Sequence, residues 1–173
     1  AKKVESDTGA VWQLLSQYPN VIAVLSSSFP AALLKCRAGQ LVSALKKLGF
    51  SQVVEDAFGA ELIAREYARL IEEGRPFLSS NCPAVMLYIE KYYPQLISSL
   101  APVVSSMIAT GRVIKWKYAP DARVVFIGPC VARKAESRDE KVAGVTDAVL
   151  TFAELKEMFA AKGISPETEG EEP

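Results

Sequence analysis

"RVVFIGPCVARKAES", residues 123–137, decides how this chain is read. Val124 to Ile127 form a continuous apolar run rich in β-branched residues, the pattern of a strand buried on both faces. A Gly-Pro step ends the run, and Cys130 stands just past its carboxyl end. Earlier in the chain the layout occurs once before, in "RPFLSSNCPAVMLYIEKYYP", residues 75–94. There "PFLS" reads as a strand, Cys82 follows it, and Pro83 opens a helix that stops before Pro94. Two cysteines of the three thus sit past the ends of two strands.

Outward from these stretches the chain alternates strand and helix. "DTGAVWQLLSQYP" sets Val11, Leu14, Leu15 and Tyr18 on one helical face behind Asp7 or Thr8 as N-cap. "NVIAVLS" is a buried strand, and "AGQLVSALKKLGF" a helix stopped by Gly49. "SQVVED" is a short strand, followed by a helix aligning Ile63, Tyr67, Leu70 and Ile71 and ending at Gly74. Residues 95–114 read as one or two helices, "DAVLTF" as a strand, and "AELKEMFAAKG" as a closing helix. The expectation is an α/β fold: a mostly parallel sheet of about four strands, including 21–26, 76–79 and 124–128, with helices on both faces. Residues 1–164 form this lobe, and the acidic stretch 165–173 is expected to be a disordered tail.

Composition narrows the function. The 173 residues, half of them hydrophobic, suffice for one domain with its own core. Twenty basic residues balance twenty acidic ones, so nothing points to a nucleic acid or an anionic membrane. No apolar run reaches the roughly 18 residues of a membrane helix. The chain has no histidine, which excludes a Ser-His-Asp triad, a Cys-His pair and a His-bearing zinc site within it. Three cysteines do not make a disulfide framework and suit a reducing cytoplasm. The chain begins with Ala rather than Met, as a piece of a longer protein or a tag remnant would.

In parallel sheets ligands collect beyond the carboxyl ends of the strands. Cys82 and Cys130 are both placed on that rim, and Cys82 precedes a helix start, where free N–H groups favour a thiolate. The plainer reading stands beside this: an isolated cysteine is usually a small buried hydrophobe, and that is the reading for Cys36. Arg133 and Lys134 serve equally as a solvated basic step. Two cysteines alone do not complete a four-thiolate cluster.

Four segments, in order, resemble the catalytic-domain family of iron-only (FeFe) hydrogenases. "SSNCPAVMLYIEKYYPQL" is similar to the family's Thr-Ser-Cys-Cys-Pro run and its helix with Glu-x-Tyr-Tyr-Pro. "GPCVARKAES" resembles Met-Pro-Cys-x-x-Lys-Lys-x-Glu. "GFSQVVEDAFGAEL" and "DAVLTFAELKEMFAAKGI" resemble two further segments of that domain. The resemblance implies one lobe of the two-lobed hydrogenase catalytic domain. It implies that Cys82 and Cys130 are two ligands of a 4Fe-4S cubane within the H-cluster, and that Ser80, Pro83, Gly128 and Pro129 line the cofactor. The other two ligands belong to a motif absent here, so they fall to the remainder of the same polypeptide: a second lobe, with ferredoxin-like and signalling domains as further expected neighbours.

The departures are as specific. Asn81 stands where the family carries a proton-delivering cysteine, and an amide does not titrate near neutral pH. Gly128 replaces a Met that packs on the diiron unit, and Arg133 a Lys that hydrogen-bonds a diatomic ligand there. Glu66 matches one acid of the following helix, while Tyr67 takes the place of a second. The cubane ligands are kept; the changes at Asn81, Gly128 and Arg133 all touch the diiron pocket, so insertion of that unit is not implied. The expected function is an iron–sulfur lobe of a redox- or hydrogen-sensing protein with little turnover. The alternatives are a piece of a true hydrogenase, interconverting protons and dihydrogen, a relative of cluster-assembly proteins, and a cofactor-free binding module. Alone, this chain is expected to be metal-free and inactive.

Overall fold

The computed structural model describes residues 4–74 and 76–171. Four strands, β1 (Val21–Leu25), β2 (Gln52–Glu55), β3 (Arg123–Gly128) and β4 (Ala148–Thr151), make one sheet in the order β2-β1-β3-β4, with every pair parallel. Eight helices are among the described residues: α1 (Thr8–Gln17), α2 (Phe29–Ala32), α3 (Ala38–Leu48), α4 (Ala57–Glu72), α5 (Pro83–Tyr92), α6 (Ser106–Val113), α7 (Ala132–Ser137) and α8 (Phe152–Ala161). The alternating pattern of the sequence is therefore the fold of the chain.

Strand side chains point alternately to two cores. Val21, Ala23, Leu25, Val125, Ile127, Ala148 and Leu150 pack with Val11 of α1, Leu41 and Leu45 of α3, and Leu155 and Met158 of α8. On the other face Ile22, Val24, Val124, Phe126 and Val149 meet Met107 and Ile108 of α6. This two-sided burial explains the continuous apolar runs of β1 and β3, the two inner strands. Gly49 and Gly74 close α3 and α4 with positive φ, +122° and +69°, as their positions predicted.

Three expectations are corrected. Residues 76–79 are not a strand of the sheet; Leu78 makes one isolated parallel bridge with Leu100, through Leu78 N donating to Ser99 O (2.7 Å) and Ala101 N donating to Leu78 O (2.9 Å). Pro76 has no N–H to extend a ladder, and both flanks of β1 are already taken by β2 and β3. Ile71, read as part of the packed face of α4, is 67% exposed, whereas Ile63 and Leu70 are buried. The acidic stretch expected to be a disordered tail lies along α3 as far as Glu171. Gln40 donates to Glu167 O, Ser43 to Gly170 O, and Lys47 pairs with Glu169. Residues 172–173 lie outside the described residues.

Between 94 and 118 the chain makes a 3-10 turn (Pro94–Ser99), α6 and a π turn (Ile114–Tyr118). Helix α6 packs against α4 at Gly59, where an added Cβ would stand 2.2 Å from Thr110 Oγ1 and 2.4 Å from Ser106 O. Gly59→Ala must therefore push two helices apart. It is expected to cost about 3 kcal/mol, at the upper end of the overpacking range, read as a lower urea midpoint with an unchanged slope.

Candidate metal centre

The sheet order reverses direction between β1 and β3, so the crevice beyond their carboxyl ends is the natural ligand position. Cys130 follows the end of β3, and Cys82 stands at the start of α5. Cys82 is the N-cap residue of α5 in extended conformation, its thiol exposed and capping nothing. Pro83, at the first helical position, is buried beneath it. Cys130 is half-buried in the turn between β3 and α7, where its carbonyl accepts from Arg133 N at 3.2 Å. Helices α5 and α7 pack together, and one cavity of about 230 Å³ is walled both by Ser80 and Pro83 beside Cys82 and by Ala135 and Glu136 after Cys130. Both cysteines thus belong to one side of the lobe. Cys36 lies apart, packed on the core of the α1–α3–α8 face, its thiol raised above the ordinary value by burial and then by the nearby Glu167 carboxylate.

The loop before Cys82 is pinned by Tyr67 of α4. Its hydroxyl accepts from Ser80 N at 2.9 Å and lies 3.1 Å from both Ser79 Oγ and Ser80 Oγ, while Ser80 Oγ donates to Val103 O at 2.5 Å. The ring of Phe77 stacks on Tyr67 at 5.5 Å. Tyr67, which replaces an acid in the resemblance, is therefore a brace for the cysteine loop. Tyr67→Phe is expected to cost about 1–2 kcal/mol by orphaning the buried Ser80 N–H, seen as faster amide exchange at Ser80.

Asn81 is turned into the protein. Its Oδ1 accepts from Ser106 N at 3.3 Å, at the start of α6, and Ser106 Oγ donates to Asp56 Oδ2 at 2.8 Å. Asp56, just past the end of β2, has its carboxyl raised above the ordinary range, chiefly by burial; Ser106, the Arg133 charge and Thr110 oppose that rise, and Glu136 adds to it. Its Oδ1 has no hydrogen-bond partner among the described residues. Arg133 pairs with Glu136 at 2.7 Å, both largely enclosed, and its guanidinium lies 6.0 Å from the ring centre of Phe126. Gly128 is buried at the end of β3, and Pro129 beside it is exposed. Glu66 does not join this group: it is 56% exposed on α4 and paired with Arg69 at 3.2 Å.

Asp56, Ser106, Phe126 and Glu136 were not singled out in the sequence. Asp56 had a readable signal, a carboxylate at the carboxyl end of a parallel strand. Phe126 had none, being one apolar residue in a strand. Lys134 corrects the reading of a solvated basic step. It is 3% exposed, bonded to Glu154 Oε1 at 2.7 Å and to Glu5 O at 3.0 Å, with Asp7 Oδ2 at 3.7 Å.

The donor set fits a cubane in part. Two thiols, Cys82 and Cys130, could serve as two of the four ligands a cubane takes, and no group of three metal-binding side chains exists among the described residues. The residues do not fit a diiron unit as the resemblance describes it. Asn81 is bonded inward, Arg133 is held by Glu136, and the space over Gly128 is taken by Phe126.

The residues describe a parallel α/β lobe with one thiol just past the end of β3 and another at the start of α5. Residues 14–173 match the model of the iron only hydrogenase large subunit, C-terminal domain, and the chain belongs to that family. Iron hydrogenase 1 of Clostridium pasteurianum is 29% identical over 84% of this chain and 28% of its own length. The periplasmic Fe hydrogenase large subunit of Nitratidesulfovibrio vulgaris is 32% identical over 84% of this chain and 39% of its own length. A cytosolic Fe-S cluster assembly factor, NAR1 of Eremothecium gossypii, is 33% identical over 72% of this chain and 28% of its own. A variant of the FeFe hydrogenase HydA1 from Chlamydomonas reinhardtii shares the fold with a TM-score of 0.79, at 23% identity, over 96% of this chain and 50% of that one. The chain thus spans half or less of the relatives it matches.

Proposed function

We propose that this chain is the first lobe of an iron–sulfur-binding domain in a larger FeFe-hydrogenase-like protein. Cys82 and Cys130 ligate a 4Fe-4S cubane there, and the remaining ligands come from the rest of the same polypeptide. The domain serves as a redox- or hydrogen-sensing module with little or no hydrogen turnover. One observation carries this: the two thiols remain available on the rim, while Asn81, Arg133 and Gly128 around them are each committed to protein contacts. A cluster held this way exchanges electrons; with an amide at position 81 it has no titrating group there to pass protons.

The three free cysteines favour a reducing compartment, so the proposed location is the cytoplasm. No helix among the described residues is long and apolar enough to cross a membrane. The test is a hydrogen assay on the complete protein, purified without air and reduced. A cubane with negligible hydrogen uptake or evolution is expected; sustained turnover would establish the hydrogenase alternative.

A second reading, a role in iron–sulfur cluster assembly, is favoured by the likeness to NAR1 proteins at 30% and 33% identity, beside 29% and 32% for the hydrogenases. It predicts that loss of the protein lowers the activity of unrelated iron–sulfur enzymes in the cell. The sensing role predicts no such loss.

A further inference from the structure

We infer that the lobe excludes a diiron unit by its own packing, with Phe126 as the plug; this rests on the proposal above that the domain is a cubane site of the hydrogenase type. Position 128 is where the resemblance puts a side chain against the diiron unit. Here a Cβ built on Gly128 would stand 2.6 Å from Phe126 Cε1 and 3.1 Å from both Phe126 Cζ and Ser26 Cβ. Side-chain carbons essentially never approach so closely, so position 128 holds a glycine because the ring already fills the space. Residues 126 and 128 lie on the same face of β3, two positions apart, and the ring leans from one to the other across the strand end.

The plug is held from three sides. Phe126 is 3% exposed and packed in the α6-side core. The Arg133 guanidinium approaches its ring, itself fixed by Glu136. Ser26, past the end of β1, is tied to the neighbouring strand by its N–H, which donates to Ile127 O at 2.8 Å. Loss of the side chain at 128 and the lean of the aromatic at 126 are therefore one change. Together they leave a rim that accommodates thiolate ligands at Cys82 and Cys130 but no second metal group over β3.

Two measurements test this. The first uses the complete, cubane-loaded protein, incubated with a synthetic diiron carbonyl complex and desalted. Retained iron is counted, and the infrared bands of the carbonyl ligands are recorded. The native protein is expected to keep only its cubane iron. Phe126→Leu, which lacks the Cε1 and Cζ atoms, is expected to retain the complex at least fivefold above native. Stoichiometric retention by the native protein, or equal retention by both, overturns the inference.

The second measurement needs no metal, and it judges the plug even if the cubane is absent and the functional proposal fails. Gly128→Ala is expected to lower the urea midpoint clearly in the native background and far less in the Phe126→Leu background. Additive effects would show that the ring does not occupy the space over Gly128, and would overturn the inference. A cubane-free protein with strong coupling would reject the functional proposal alone.

Discussion

Lys134→Met is expected to destabilise the lobe by about 3–5 kcal/mol, the range for removing one partner of a buried ion pair. The ammonium is 2.7 Å from Glu154 and 3.7 Å from Asp7 in a site from which water is nearly absent. Methionine fills most of the volume but leaves Glu154 without its cation. Asp7 keeps Arg138 at 2.7 Å and the Val149 N–H at 3.3 Å, so the loss falls mainly on Glu154. The double variant with Glu154→Gln is expected to recover part of it, because an amide needs no countercharge and can still serve the Thr151 cap. The measurement is the free energy of urea unfolding of all three proteins at pH 7.

The same pair sets a pH dependence. Burial acts to raise the Glu154 carboxyl, but Lys134, the Thr151 N–H and hydroxyl, and Ser6 outweigh it and hold the group at about 2. In the unfolded chain it titrates near about 4.3. A depressed carboxyl stabilises the fold above the unfolded value and loses that contribution as pH falls toward the folded one. Unfolding free energy is therefore expected to be insensitive to this group above about pH 5 and to fall between about pH 5 and 2. The slope should be shallower in Lys134→Met. Helix α7 begins two residues after Cys130, so this buried pair also fixes the turn that presents the thiol.

The second large effect concerns the chain on its own. Residues 1–173 are expected to fold without metal and to hold no stoichiometric cluster. Both cores are built from residues of this chain: α1, α3 and α8 cover one face of the sheet and α6 the other. Folding thus has its hydrophobic driving force without iron. A cubane takes four protein ligands, and in the proposed site Cys82 and Cys130 would be two of them. Cooperative thermal unfolding with less than about 0.2 cubane per chain after anaerobic reconstitution is the expected result, on the stoichiometry of four-thiolate sites. A stable one-to-one cubane would refute this expectation.

Local signals carried the fold. β1 and β3 were legible because inner strands of a parallel sheet are apolar on both faces. The turn after β3 and the start of α5, which carry Cys130 and Cys82, were legible because strand ends and helix starts are written in adjacent residues, such as the Gly-Pro step at 128–129 and Pro83. Residues 76–79 carried the same local signal without the tertiary partner: no strand edge was free to receive them. The surroundings of the rim were not legible for the opposite reason. Lys134 reads as a surface base until Glu5, Asp7 and Glu154, distant in sequence, are brought to it. Phe126 reads as core, and it is core; its second role depends on the lean of one ring over Gly128.

In the proposed site Cys82 and Cys130 hold a cluster jointly with the rest of the polypeptide. The most direct measurement is iron and acid-labile sulfide per chain in the complete protein, purified without air, beside its Cys82→Ala and Cys130→Ala variants. About four iron and four sulfide attributable to this site are expected in the native protein, with loss of that increment in each variant and none in Cys36→Ala. Equal iron and sulfide in the native protein and in both the Cys82 and Cys130 variants would contradict the account.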